Sequence, residues 1–390
     1  MKMLPESEMT FLPKAGNGRI IMLKLRKKLG EYQEIFFLIF MLAMTGMTSA
    51  GLNSEHRCYM IIFLAATVVL LLKMAVTDFT LREILVMALF TVLLGMIFLR
   101  SHEKTLILTA MGIFGAKNVS LDKVFKYALW LKTALTVGTL TLAAVGVIKN
   151  VEIYLPKSGE MYKLYCYGYY TPNMAFANIF VLLLLAILVY GDRLRWYAYV
   201  IGTVIMLAAY KVFMCRTGLV IWGVTCLMVL GYRLTRRLKW EKVYMSLFIA
   251  VPVVLAALTL ILPVWAKKDN AVDVALDRYL TGRIRHINAF FDEIGHLMFG
   301  AGTREPFDSM YFTVLYNYGW VVFALCLLAY CAAMWYCNKH SKFYATIGLG
   351  IMAVYGFMEL LPLSVLWNLP LLYLSWILFR ERKEAHEQLQ

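Results

Sequence analysis

The sequence predicts an all-α polytopic membrane protein with about twelve spans, and three observations carry that prediction. Hydrophobic residues make up 61% of the 390 and charged residues 16%, with mean hydropathy +0.68. A soluble domain carries about a quarter charged residues. Apolar runs of 15 to 20 residues recur from Ile35 to the C-terminal end, each about the length a helix needs to cross ~30 Å of hydrocarbon. Strands of about ten alternating residues, the mark of a membrane β-barrel, are absent from the pattern.

Taken in order, the apolar runs place spans at 35–50, 58–76, 84–99, 105–116, 126–148, 173–190, 196–213, 218–232, 243–262, 311–336, 343–361 and 365–379. The chain then divides into a cytoplasmic segment (1–34), nine spans (35–262), one large extracytoplasmic loop (263–310), three spans (311–379) and a cytoplasmic tail (380–390). Residues 1–30 are polar and basic, and no A-x-A site follows the first apolar run, so no cleavable signal peptide is expected. Met22, ahead of Leu23-Lys24-Leu25-Arg26-Lys27-Lys28, is an alternative start.

Orientation comes from the basic residues. With the N-terminus inside, the cytoplasmic connections carry Arg82, Lys117, Lys123, Arg193, Arg195, Arg233, Arg236, Arg237, Lys239, Lys242, Lys339 and Lys342. The opposite short loops carry only Arg57, Arg100 and Lys104. This asymmetry puts both termini in the cytoplasm and the large loop outside a cell membrane, expected to be bacterial. It also explains the net charge of +15 without a nucleic-acid partner. The seven cysteines show no C-x-x-C pair and no metal-ligand spacing, so no disulfide framework, metal or cofactor is expected.

The loop, PVWAKKDNAVDVALDRYLTGRIRHINAFFDEIGHLMFGAGTREPFDSM, is the one long polar segment between spans. From Val272 to Leu297 it has helical periodicity, with Val274, Leu276, Leu280, Ile284, Ile287, Phe291 and Ile294 on one stripe and Arg278, Arg283, Arg285 and His286 beside it. Gly300-Ala301-Gly302 stops that helix. An interfacial amphipathic helix meeting lipid headgroups has the same pattern.

Several residues are candidates for chemistry. Arg216 sits in a tight connection between two spans, where it either snorkels or meets an anion. Its planar fork of donors suits phosphate. Arg283 and Arg285 could join it around a diphosphate. Two residues apart on a helix they face different ways, so only one of them would point at the ligand of Arg216. His286 and His296 are the loop histidines, each able to accept a proton near neutral pH. Asp308 is a candidate base, or an N-cap for the next helix. Tyr162, Tyr165, Tyr167, Tyr169 and Tyr170, then Asn173, crowd the other long outer connection. They read as an interfacial belt or as faces for sugar rings. Glu359 lies near the outer end of the eleventh span, and a carboxylate there is a functional candidate. Walker A, H-E-x-x-H, G-x-S-x-G and G-x-G-x-x-G are all missing.

In hydropathy plan and in local motifs the chain resembles the O-antigen polymerase and ligase superfamily, the Wzy-like membrane glycosyltransferases. The motifs are Tyr167-Gly168-Tyr169-Tyr170-Thr171-Pro172-Asn173, with Thr171 where the family has histidine; Cys215-Arg216-Thr217-Gly218; Thr281-Gly282-Arg283; Phe299-Gly300-Ala301-Gly302; and Asp308-Ser309-Met310-Tyr311 followed by Asn317-Tyr318-Gly319. The resemblance implies a GT-C-like fold and metal-independent sugar transfer outside the membrane from a polyprenyl-diphosphate-linked oligosaccharide. A capsule, exopolysaccharide or O-antigen polymerase fits it, working with membrane lipid and with a flippase and chain-length regulator of the same pathway. Asp308 stands where the family's ligases usually carry histidine, which favours a polymerase. The implied roles are Arg216 and Arg283 on the diphosphate, Arg285 on diphosphate or sugar, Asp308 or His286 as base, and Tyr169, Tyr170 and Asn173 on the glycan. Arg278 and Glu359 are further binding candidates. The rival expectations are an O-antigen-ligase-type transferase to a lipid or wall acceptor, a lipid-linked glycan flippase, and a non-catalytic envelope scaffold.

Overall fold

A computed structural model describes residues 28–52, 56–157, 160–266, 277, 282–302 and 305–379. The first half is helical: α1 (Gln33–Ser49), α2 (Arg57–Val76), α3 (Leu81–Ser101), α4 (Thr105–Gly115) and α5 (Leu121–Ala144). A two-stranded antiparallel hairpin follows, β1 (Glu152–Lys157) with β2 (Glu160–Tyr165). Then come α6 (Pro172–Tyr190), α7 (Trp196–Phe213), α8 (Arg216–Arg237), α9 (Glu241–Ile249) and α10 (Val251–Ala266). The loop region holds α11 (Arg283–Phe291) and a 3₁₀ turn, Ile294–His296. The last part runs through α12 (Met310–Thr313), a π-helical turn (Val314–Tyr318), α13 (Gly319–Lys339), α14 (Phe343–Met358), 3₁₀ turns at Leu361–Leu363 and Leu369–Tyr373, and α15 (Leu374–Leu378).

Seven helical runs among the described residues are long and apolar enough to cross a membrane: Arg57–Val76, Leu81–Ser101, Pro172–Arg193, Trp196–Phe213, Arg216–Arg237, Glu241–Trp265 and Met310–Lys339. α2 and α3 bury little of their surface inside the protein. A helix apolar on every side with few protein neighbours needs hydrocarbon around it. The protein is therefore membrane-embedded and mainly helical.

Of the other expected spans, α1, α4 and α14 are shorter, whereas α5 has 24 residues and carries Asp122, Lys123, Lys126 and Lys132. α4, at 11 residues, rises about 16 Å. The run expected at 365–379 is broken rather than continuous. Pro370 sits in a 3₁₀ turn and only Leu374–Leu378 is α-helical, because a proline removes one backbone donor and clashes with the preceding turn. The two short pieces are joined side by side. Thr109 Oγ1 donates to the Leu363 carbonyl (3.1 Å) and accepts from Val365 N (3.2 Å). α5 begins at Leu121, ahead of the expected 126.

Two local features depart from expectation. The tyrosine-rich connection expected between α5 and α6 contains a hairpin, β1–β2. The helix expected through Val272–Leu297 is not continuous, because Gly282 has φ +81° and α11 starts after it. An α-helix cannot pass through that left-handed backbone.

Candidate functional site

The site is built at the bundle end that carries the loop. α11 lies against α10, and Arg283 is its first residue. Arg283 Nε donates to Asp308 Oδ2 at 2.9 Å, and its Nη2 donates to Glu359 Oε1 at 3.3 Å. Glu359 follows α14 directly, in an extended conformation (φ −144°, ψ 149°) that turns it off the helix. Three residues far apart in sequence thus meet at one guanidinium. The Arg283 side chain is 14% exposed, whereas that of Asp308 is 57% exposed. The carboxylate of Asp308 is held by Arg283 at Oδ2 on a side chain that is mostly in solvent.

This geometry revises two expectations. Asp308 does not cap the following helix; Ser309 is the N-cap of α12, without a side-chain cap bond, and Asp308 turns to Arg283 instead. Arg283 is engaged by two carboxylates, so its fork does not stand ready for a diphosphate here. Arg285 behaves as its spacing predicts: its side chain is 81% exposed, with Nε 3.7 Å from Asp277 Oδ2. Arg278 lies outside the described residues.

A tight scaffold holds this region. Gly300 (φ +78°) and Gly319 (φ +90°) lie backbone against backbone, and a Cβ on either would collide with main-chain atoms of the other segment. Ala301 N donates to the Tyr316 carbonyl (2.9 Å), and Trp320 Nε1 donates to the Ile294 carbonyl (2.9 Å). Asn317 clamps the backbone of Glu305 at both its N–H (3.3 Å) and its carbonyl (3.0 Å). Phe307 packs on Phe290, Phe312 and Tyr316, with the exposed His286 ring 5.0 Å away. His286 therefore lies on the rim of an aromatic cluster. His296 is exposed at the end of the 3₁₀ turn.

Arg216 is the first residue of α8 and is exposed, with no hydrogen bond or ion pair among the described residues. A cation at a helix N-terminus opposes the helix dipole, so its placement is not explained by local stability. α6 starts beside it: Phe176 fills the space above Gly218. The α6 N-terminus is capped by Thr171, whose hydroxyl accepts from Met174 N (3.2 Å), with Pro172 at the first helical position. α8 packs against α14, the helix that leads into Glu359.

The tyrosines separate. Tyr169 is buried and its hydroxyl donates to the Ser49 carbonyl at 2.7 Å. It is part of the core and cannot place a glycan. Tyr170 and Asn173 are exposed. Two lysines inside the helical bundle, Lys73 and Lys132, are both buried and bonded. Lys73 Nζ donates to the Lys117 carbonyl (2.6 Å), and Lys132 Nζ bonds Asn178 Oδ1 and Ser49 Oγ beside the Trp367 ring.

Sequence reasoning named Arg283, Asp308 and Glu359 but not their union. The signal available was that a near-buried arginine and a carboxylate at membrane depth each need a partner. Among the described residues no group of three or more His, Cys, Asp or Glu side chains is placed to hold a metal ion. Comparison with protein-family descriptions, curated proteins and solved structures returns no match.

Proposed function

We propose that this chain is a membrane glycosyltransferase of the polysaccharide-polymerase type, joining oligosaccharide units carried on a polyprenyl diphosphate at the outer membrane face. The observation that supports it most is the exposed Arg216 at the start of α8, without a hydrogen bond or ion pair among the described residues, together with Asp308, a largely exposed carboxylate positioned by Arg283. Helix N-termini with a free guanidinium suit an anionic group.

In this scheme Arg216 and the N-terminus of α8 hold the diphosphate. The acceptor hydroxyl oxygen attacks the anomeric carbon, and the bond from that carbon to the diphosphate oxygen breaks with the electron pair leaving on phosphate. Arg216 stabilises that growing charge. Asp308 takes the hydroxyl proton, and Arg283 fixes its orientation. Glu359 balances the second side of Arg283. His286 is the other base within the loop. Exposed Arg285, Tyr170 and Asn173 line the approach for the glycan.

The test is reconstitution of the purified protein in lipid with a polyprenyl-diphosphate oligosaccharide from its own cells, with EDTA present and Arg216→Ala alongside. A ladder of repeats, lost in the variant, supports the proposal. Transfer of finished polymer to another acceptor points to a ligase, and movement of intact lipid glycan between leaflets points to a flippase; either result rejects polymerisation.

A further inference from the structure

We infer that the outward face of the β1–β2 hairpin is a carbohydrate-binding surface that holds the saccharide portion of the substrate beside Arg216. The inference rests on the proposed glycan chemistry, but its test does not require sugar transfer.

The register pairs Glu152 with Tyr165 and Tyr154 with Lys163, so these four residues share one face. Ile153 and Leu164 pair on the other, where Leu164 is buried against the bundle. On the outward face Tyr154 is 58% and Tyr165 38% exposed. Between them Lys163 Nζ bonds Glu152 Oε1 at 2.9 Å and lies 5.2 Å from the Tyr165 ring centroid. The face is continuous with the start of α8. Tyr165 packs edge-on to Tyr167 (6.2 Å), and Tyr167 edge-on to Phe213 (5.8 Å), three residues before Arg216.

Chemistry selects the occupant. Rings with hydroxyl tips, flanked by one donor charge and one acceptor charge, match a ligand with apolar ring faces and many hydroxyls. A lipid surface is a poorer match, because an interfacial belt for anionic headgroups gains nothing from Glu152.

The experiment measures binding of water-soluble oligosaccharides, released from the cell-surface polysaccharide of the source cells, to the full chain in nanodiscs. Wild type should bind, the Tyr154→Ala/Tyr165→Ala pair should bind on the order of tenfold more weakly, and the Tyr154→Phe/Tyr165→Phe pair should keep most of the affinity. Wild-type protein that does not bind overturns the inference. So does an alanine pair that binds like wild type, or a phenylalanine pair that melts like wild type yet loses as much affinity as the alanine pair. Saccharide binding without a product ladder would leave this surface standing while the polymerase reading fails.

Discussion

Arg283 and Arg285 stand two positions apart and live in opposite surroundings, one clamped and 14% exposed, the other 81% exposed. That contrast was legible from helical spacing alone. What Arg283 meets was not legible, because Asp308 and Glu359 are 25 and 76 residues away. The pairing makes a prediction. Arg283→Met leaves the part-buried Glu359 without its cation and should lower stability by about 3 kcal/mol. Adding Glu359→Leu should recover most of that loss, read as thermal unfolding in detergent; a double variant less stable than the single would sink the coupling. Arg216→Ala should behave in the opposite way. With no partner among the described residues to lose, its stability should stay within about 0.5 kcal/mol, while glycan transfer collapses. Arg216→Lys should restore only part of the transfer, because a point charge replaces a planar fork. Transfer unchanged in Arg216→Ala would remove this residue from the mechanism. Tyr169 and Tyr170 show where sequence stops being informative. Tyr167 (φ +46°) and Gly168 (φ +83°) turn the chain so that one ring enters the core and the next stays out, and composition contains nothing of that turn.

At the level of elements, the loop is held by close backbone contact more than by its helix. The Phe299–Gly302 and Asn317–Gly319 motifs stood out separately in the sequence, and the fold brings them together. Both glycines occupy left-handed backbone, where a side chain costs roughly 1–3 kcal/mol, and both face main chain that has no room to yield. Gly300→Ala and Gly319→Ala should each destabilise by at least about 2 kcal/mol, measured by thermal unfolding, whereas Gly295→Ala, which meets open space, should change stability far less. Equal effects at all three positions would contradict this packing. The hairpin had a sequence signal of its own: a Ser-Gly dipeptide, a common turn pair, between two short runs rich in tyrosine and branched apolar residues, Glu152-Ile-Tyr-Leu and Met161-Tyr-Lys-Leu-Tyr. Its tyrosines looked like a membrane belt, and that hid it. The loop helix failed differently. Its apolar stripe is real where Ile284 is buried, but periodicity cannot reveal that Gly282 adopts positive φ.

For the whole molecule, hydropathy gave the membrane class at once, since lipid imposes its length and polarity on each helix that crosses it. It was least informative where a segment is short or broken, as at α4 and the proline-interrupted C-terminal run, where the Thr109 side chain of α4 satisfies backbone groups at Leu363 and Val365 that no helix pairs. Orientation rests on charge asymmetry and is open to direct test. None of the seven cysteines forms a disulfide and Cys58 is the exposed one, so a Cys58→Ser background suits labelling with a membrane-impermeant maleimide. In intact cells Tyr170→Cys should label, since Tyr170 sits on the hairpin side with Arg216. Lys239→Cys, in the turn after α8, should label only after permeabilisation. The reverse pattern would turn the site toward the cytoplasm. A diphosphate-linked donor would then have to be used before crossing the membrane, and the proposed reaction at the outer face would fall, while saccharide binding by the hairpin would still be decided by its own assay.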